Sequence, residues 1–208
     1  MMMRFWFRWF LGISATVMMM AQVGVATTQT KLQTATEFLT AHDVRVQEIV
    51  RASDSLSAEQ SATVKSMINE AFDFAELSHL ALGDHWELRS EQERVEFTRV
   101  FQGIIEQRNF DSFVTYYREG EITYIGEELA KDGRATVRGE VPVKKERKEI
   151  SYFLHRPDGA GWRIYDLSID GTSTAAGYQK TYGRYISRHS FEKLLKRLTQ
   201  QLEKLTGE

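Results

Sequence analysis

The chain has 208 residues and a formal net charge of −2, with 42% hydrophobic and 27% charged residues. This length favours one compact domain, and the composition excludes collagen-like, disordered and polytopic membrane proteins. The sequence contains no cysteine, which excludes disulfide frameworks, cysteine metal sites, thiol nucleophiles and acylated cysteine anchors.

The first 26 residues have the pattern of a secretory signal peptide. Arg4 and Arg8 provide a positive start, and residues 9–21 form an apolar run interrupted only by Ser14 and Thr16. Small residues follow at 24–26, where a signal peptidase would cleave. The segment therefore predicts export, and export of a chain without cysteine suits a bacterial periplasm.

An uncleaved membrane anchor is the alternative for this segment, because residues 5–26 are almost long enough to span a bilayer. Cleavage would leave residues 27–208 as a single domain with a net charge of −4, since the segment carries two arginines and no acidic residue. A mildly acidic domain argues against nucleic acid as a partner, because phosphate binding depends on clustered lysine and arginine.

The first hundred residues of this domain are predicted to be helical, since apolar residues recur every three or four positions. The first helix carries the apolar stripe of residues 32–49. The spacings Ser57–Gln60 and Ser90–Glu93 are those of capping boxes, which open the second helix and the longest one. A short helix between them ends at Gly83, which we expect in the left-handed conformation.

After residue 119 the apolar period changes to two, which predicts strands joined by short turns. The expected strands cover residues 119–127, 134–143, 148–156 and 161–169. The gaps are too short for helical crossovers, so the sheet should be antiparallel. Two further helices are expected at 172–187 and 190–206. The predicted fold class is α+β, with helices packed on one face of a curved four-stranded antiparallel sheet and enclosing an apolar pocket.

Histidines and paired carboxylates are the first candidates for catalysis. His79 and His85 flank Gly83 at a spacing that matches no usual zinc site. Asp166 and Asp170 could form an acid–base pair, but a turn at Asp170-Gly171, with Asp170 or Ser173 capping the next helix, explains them without catalysis. No nucleophile elbow, phosphate loop or dinucleotide motif is present, so we predict neither an enzyme nor a cofactor or metal.

Other residues form two basic clusters, one at 144–148 and one between Arg184 and Arg197. Runs of this kind are usually solvated faces. The functional alternative is that one of them contacts an anionic head group or an acidic partner surface.

The order of several short motifs resembles the MlaC family, also called the toluene-tolerance family, of periplasmic phospholipid-binding proteins. The resemblance extends over about residues 32–205. The matching segments, in chain order, are Leu82-Gly83-Asp84-His85-Trp86, Ser90-Glu91-Gln92-Glu93-Arg94, Tyr117-Arg118-Glu119-Gly120, Gly161-Trp162-Arg163-Ile164-Tyr165-Asp166 and Asp170-Gly171-Thr172-Ser173.

The resemblance implies a carrier that holds the acyl tails of a phospholipid in a deep apolar pocket. It also implies two partners, an outer-membrane lipoprotein complex and an inner-membrane ABC transporter with an MCE-domain ring. We expect a monomer, because a shuttle must present its docking face to each partner in turn. The expected tail contacts lie on the inner face of the sheet, on the long helix and after the Asp-Gly-x-Ser motif. They are Val137, Val141, Ile150, Tyr152, Leu154, Trp162, Ile164, Thr172, Phe97, Phe101 and Ile104.

Thr172 departs from the family pattern, which usually has a branched aliphatic residue there. A hopanoid or another amphiphile is therefore an alternative ligand. Two alternatives come from other classes of protein. A small secreted enzyme would use Asp166 with His79 or His85, and would place these side chains within hydrogen-bond reach. An adaptor binding proteins through its basic C-terminal helices would have a solid core without a cavity.

Physical chemistry sets a requirement on any such carrier. Two acyl tails contain roughly 30 methylenes, and exposing them to water at about 0.8 kcal/mol each would cost on the order of 25 kcal/mol. A shallow groove would leave much of this surface wet, so the pocket must be deep and dry.

Overall fold

The computed structural model describes residues 33–143, 146–159 and 161–207. The predicted signal segment, residues 1–26, lies outside these ranges. Within them the helices are Ala35–Val50 (α1), Ala58–Ala71 (α2), Phe74–Leu82 (α3), Glu91–Glu119 (α4), Thr174–Arg188 (α5) and Phe191–Thr206 (α6). The strands are Thr123–Leu129 (β1), Ala135–Val143 (β2), Glu146–His155 (β3), Arg163–Ile169 (β4) and Thr172–Ser173 (β5). The α+β class is confirmed.

Local sequence determines where the helices begin. The backbone amide of Gln60 donates to Ser57 Oγ at 3.1 Å, and the amide of Ser57 donates to the Gln60 side chain at 2.9 Å. Ser90 and Glu93 form the same reciprocal pair at the start of α4. Both predicted capping boxes are therefore present, and each satisfies amides that the first helical turn leaves without partners.

Gly83 ends α3, but its backbone is not in the left-handed helical region that we predicted. Its φ is 53° and its ψ is −133°, so φ is positive while ψ lies far from the left-handed helix. A Cβ at Gly83 would lie 2.1 Å from Nε2 of Gln179 on α5. Glycine is thus favoured here by the positive φ, whereas the contact involves the end of the flexible Gln179 side chain.

The sheet is an antiparallel meander in the order β1-β2-β3-β4-β5, which confirms the predicted topology. The prediction of four strands was wrong, because residues 172–173 pair with β4 instead of starting a helix. Asp170 and Gly171 make the connection with φ values of 50° and 76°. Two positive φ values in succession are typical of the tight turn that joins two-residue hairpins.

The predicted first strand also began too early. The long helix α4 continues to Glu119, and β1 starts only at Thr123. Residue alternation in β2 is regular, with Ala135, Val137, Gly139 and Val141 on the buried face. The helices cover this face, as an apolar sheet surface requires.

Three groups of buried side chains form the core. One joins α3, α4, α5 and α6 around Phe97 and Phe101, whose ring centroids are 5.5 Å apart. The second joins α1 to the inner face of the sheet, and the third joins α1, α2 and α4. Phe72 packs against all three groups, where they approach one another.

Candidate functional site

A cavity of about 470 Å³ lies between α4, the sheet and the helices α1 and α2. This volume is within the range of about 300–1,000 Å³ that is usual for small-molecule pockets. Most of its wall is aliphatic or aromatic, and the side chains come from eight different elements. Those that the sequence did not single out as ligand contacts include Leu39, Ile68, Phe72, Ile105, Phe113 and Leu167.

Four of the predicted contact residues line this cavity: Val141, Ile150, Tyr152 and Ile164. They belong to three neighbouring strands, and the antiparallel register brings them onto one face. Their role as lipid contacts remains a prediction, but their placement on one apolar wall is what that role requires.

Five other predicted residues, Val137, Leu154, Trp162, Phe97 and Phe101, do not line the cavity but pack in the core. Trp162 is 5% exposed, and its indole nitrogen donates to the carbonyl oxygen of Gln33 at 2.9 Å. Val137, Leu154 and Trp162 pack in the core group that contains Ala35 and Leu39 of α1, whereas Phe97 and Phe101 pack in the group formed by α3, α4, α5 and α6. These residues support the walls from the core without reaching the cavity.

The remaining two predicted residues, Ile104 and Thr172, line a second groove of about 670 Å³ between α4, α5 and α6. Thr172 is exposed in β5 rather than buried at the start of a helix. The groove and the cavity share Ile169, Thr174 and Tyr178, so they adjoin at the end of β4 and the start of α5.

One wall of the cavity carries a polar cluster that sequence analysis missed. The Asp43 carboxylate accepts hydrogen bonds from the hydroxyls of Tyr117 at 3.1 Å and Tyr124 at 2.6 Å. Burial raises the pKa of both tyrosines, and the negative charge of Asp43 raises it further. Asp43 and Tyr124 are 81 residues apart, so no local spacing could have linked them.

His42 lies beside this cluster. The side chain is 5% exposed, and Nε2 lies 3.0 Å from the carbonyl oxygen of Met67. A carbonyl only accepts, so Nε2 carries the proton. His42 is thus a buried, hydrogen-bonded histidine on an apolar helical stripe.

Charged and amide side chains occupy other parts of the cavity lining. Lys65 Nζ lies 3.7 Å from the Glu106 carboxylate, which also accepts from Asn69 at 2.7 Å. Lys148 Nζ donates to Asp170 at 3.0 Å. The cavity therefore combines an apolar wall with a few polar groups, a combination typical of sites that bind amphiphiles.

Asp166, the acid–base candidate, has a structural role. Its carboxylate accepts from the amides of Leu167 at 2.8 Å and Ala175 at 3.0 Å, and from Ser173 Oγ at 2.5 Å. Ser173 in turn caps α5 by accepting from the Ala176 amide. Asp166 thus ties β4 to the start of α5, as expected if these residues make a turn and a helix cap.

The enzyme alternative required a histidine next to Asp166. His79 and Asp166 both line a small cavity of about 360 Å³, but His79 Nδ1 lies 3.3 Å from Glu76 Oε2. In the described part of the chain, neither His79 nor His85 is a hydrogen-bond partner of Asp166. The same ranges contain no cluster of three acidic or histidine side chains that could hold a metal ion.

The structural role of Asp166 predicts a large loss of stability when its carboxylate is removed. We expect Asp166→Ala to lower the free energy of unfolding by about 2–4 kcal/mol, because three donors lose their acceptor in a buried setting. Asp166→Asn keeps one acceptor oxygen and should lose less. Urea denaturation followed by circular dichroism measures both, and an Asp166→Ala protein as stable as the wild type would contradict the assignment.

None of the helices within the described ranges has both the length and the apolar character needed to span a bilayer.

The fold is similar to a solved structure of the phospholipid-binding protein from Ralstonia solanacearum in complex with a phospholipid. The TM-score is 0.70 at 18% sequence identity, and the match covers 81% of this chain and 96% of the other. At this identity the likeness establishes a common fold. Comparison with curated protein sequences gave no match.

The family model for the MlaC protein matches residues 42–200, which is more than half of the sequence. The chain therefore belongs to the MlaC family.

Proposed function

We propose that this protein is a periplasmic carrier that binds the acyl tails of a phospholipid in the cavity between α4 and the sheet. The apolar cavity of about 470 Å³ is the observation that carries this proposal. The fold supports it, because a protein with the same fold is described as phospholipid-binding and in complex with a phospholipid. The adaptor alternative, in contrast, required a solid core.

The hydrophobic effect supplies the affinity in this proposal. Each methylene that leaves water contributes about 0.8 kcal/mol, so ten buried methylenes contribute about 8 kcal/mol. The tail would lie against Val141, Ile150, Tyr152 and Ile164 on the sheet and against Phe113 on α4. None of these side chains carries a charge, so the tail would displace no strongly hydrated group from this wall.

We further propose that the protein carries lipid between an outer-membrane lipoprotein complex and an inner-membrane ABC transporter with an MCE-domain ring. Family membership supports this assignment, and the signal-like segment of residues 1–26 agrees with a periplasmic location. A carrier of this kind needs no catalytic group, in agreement with the structural role of Asp166.

Native mass spectrometry of the protein purified from a bacterial periplasm tests the proposed ligand. We expect a complex of one protein with one phospholipid, whose head group and tails are then identified after solvent extraction. A hopanoid or another amphiphile in the extract would assign a different cargo. A protein that is free of lipid, and remains so after mixing with phospholipid vesicles, would contradict the proposal.

A further inference from the structure

The second groove, between α4, α5 and α6, adjoins the proposed tail cavity. The two share Ile169, Thr174 and Tyr178, so they lie next to each other at the end of β4 and the start of α5. With a volume of about 670 Å³, the groove is large enough for a lipid head group. The function proposed above assigns the tails to the cavity and gives this groove no role.

The base of the groove is apolar and aromatic. Leu194 and Leu198 of α6 are buried there, and Tyr178, Tyr182 and Tyr185 of α5 line one side. The three tyrosines add hydroxyl groups to an otherwise apolar surface. A ligand there would thus meet hydrogen-bonding groups beside an apolar base, which suits the junction between the tails and the head group of a lipid.

Two arginines give the groove a positive charge. Arg108 of α4 and Arg197 of α6 both line it, whereas no aspartate or glutamate does so among the described residues. Neither arginine forms an ion pair with a carboxylate in the described part of the chain, unlike Arg89 and Arg94, which contact glutamates. The groove therefore presents two cations without an anion from the protein itself.

Both arginines interact with tyrosines of α5. The Arg197 guanidinium lies 5.3 Å from the ring centroid of Tyr185. Burial raises the pKa of Tyr178 and of Tyr182, and the positive charge of Arg108 opposes that rise in both. Both guanidinium groups thus act on tyrosines of α5, which line the groove.

We propose that this groove binds the head group of the phospholipid and selects lipids whose head group is anionic. The two arginines would bind the phosphate and a second acidic or hydroxyl-rich portion, since a guanidinium is well suited to phosphate oxygens. A zwitterionic head group would bind less well, because its ammonium finds no carboxylate in the groove. This inference rests on the proposed function, since it assumes that a lipid tail occupies the cavity.

Competition between phosphatidylglycerol and phosphatidylethanolamine tests the inference. Full-length protein is mixed with vesicles that contain equal amounts of both, with matched tails, and the bound lipids are quantified by native mass spectrometry. We expect about a fivefold preference for phosphatidylglycerol, the effect of two exposed charges, and a smaller preference at high salt. The double variant Arg108→Gln/Arg197→Gln should bind both lipids equally.

The matched control is Arg45→Gln, which removes an exposed arginine of α1 that lines neither the cavity nor the groove. It should keep the wild-type preference. Glutamine has nearly the helix propensity of arginine, so both the double variant and the control should fold, which circular dichroism verifies.

The outcomes separate the inference from the proposed function. If wild-type protein binds both lipids without preference, the head-group inference is wrong and the tail cavity stands. If it binds neither lipid, the proposed function fails. If inorganic phosphate alone stabilises the wild type but not the double variant, and no lipid preference is seen, the groove binds a free anion and the inference is overturned.

Discussion

Replacing Ile150 by glutamate should abolish lipid binding while leaving the protein folded. Ile150 is half-buried in β3 and lines the cavity, so a carboxylate there would face the acyl tail. Desolvating an unpaired charge costs several kcal/mol, so we expect the affinity for phospholipid to fall at least about 100-fold. Co-purified lipid, measured by native mass spectrometry and by extraction, should fall to background.

The control for this change is Val95→Glu. Val95 lies on α4 and is 64% exposed, and it lines neither the cavity nor the groove. This variant adds the same charge to the surface, so it should retain lipid. A folded Ile150→Glu protein that retains wild-type amounts of lipid would show that the tail does not occupy this cavity.

The result should differ at Trp162, although the sequence alone places it on the same face of the sheet. Its indole is buried and donates to the carbonyl oxygen of Gln33, so it forms part of the core beneath α1. A glutamate at position 162 would lose this packing and hydrogen bond and bury a charge. We expect it to destabilise the fold, whereas glutamate at position 150 acts on the ligand.

Alkaline pH should reduce the stability of the protein steeply. Burial raises the pKa of Tyr117, Tyr124 and Tyr152 above the ordinary value of 10.0, and the negative charge of Asp43 adds to the rise. In the unfolded chain these tyrosines ionise near pH 10, while in the folded protein they keep their protons. The unfolded state therefore binds fewer protons above pH 10, and the stability falls as pH rises.

The expected slope follows from the number of tyrosines. Each tyrosine that ionises only on unfolding lowers the free energy of unfolding by about 1.4 kcal/mol per pH unit, so these three contribute about 4 kcal/mol per unit. Burial also raises the pKa of Tyr116, Tyr178 and Tyr182, which add to the slope. The contribution of these protonated tyrosines to stability is fully present below pH 10. It is lost progressively as pH rises from 10 towards the pKa values of the tyrosines in the folded protein. Urea denaturation at a series of pH values from 8 upwards measures the slope.

Tyr152→Phe provides the comparison, because it keeps the aromatic ring and removes one ionisable group. Its slope should be shallower by about 1.4 kcal/mol per pH unit. Equal slopes in the variant and the wild type, or constant stability across this range, would contradict the assignment of these tyrosines as protonated in the folded state.

Local sequence patterns determined the secondary structure and much of the topology. The capping boxes at Ser57 and Ser90 act within one helical turn, so their spacing was sufficient to locate two helix starts. Alternation at period two predicted which face of β2 is buried, since successive strand side chains point to opposite sides. The Asp170-Gly171 turn was predictable as well, because both residue types tolerate positive φ.

Tertiary structure decided which buried residues reach the cavity. Val137 and Ile150 share the inner face of the sheet and are equally apolar, but only Ile150 lines the cavity. Val137 is fully buried in the core group that contains Ala35 and Leu39 of α1, whereas Ile150 is only partly buried against that group. Strand periodicity identifies the face of a residue and contains no information about which helix lies above it.

The polar cluster and the second groove also required the fold. Asp43 meets Tyr124 from 81 positions away, and Arg108 and Arg197 line one groove from different helices. Sequence patterns identify side chains that are neighbours within a helical turn or along a strand. Groups brought together by the packing of distant elements leave no such pattern, so their convergence becomes visible only when the helices and the sheet are in place.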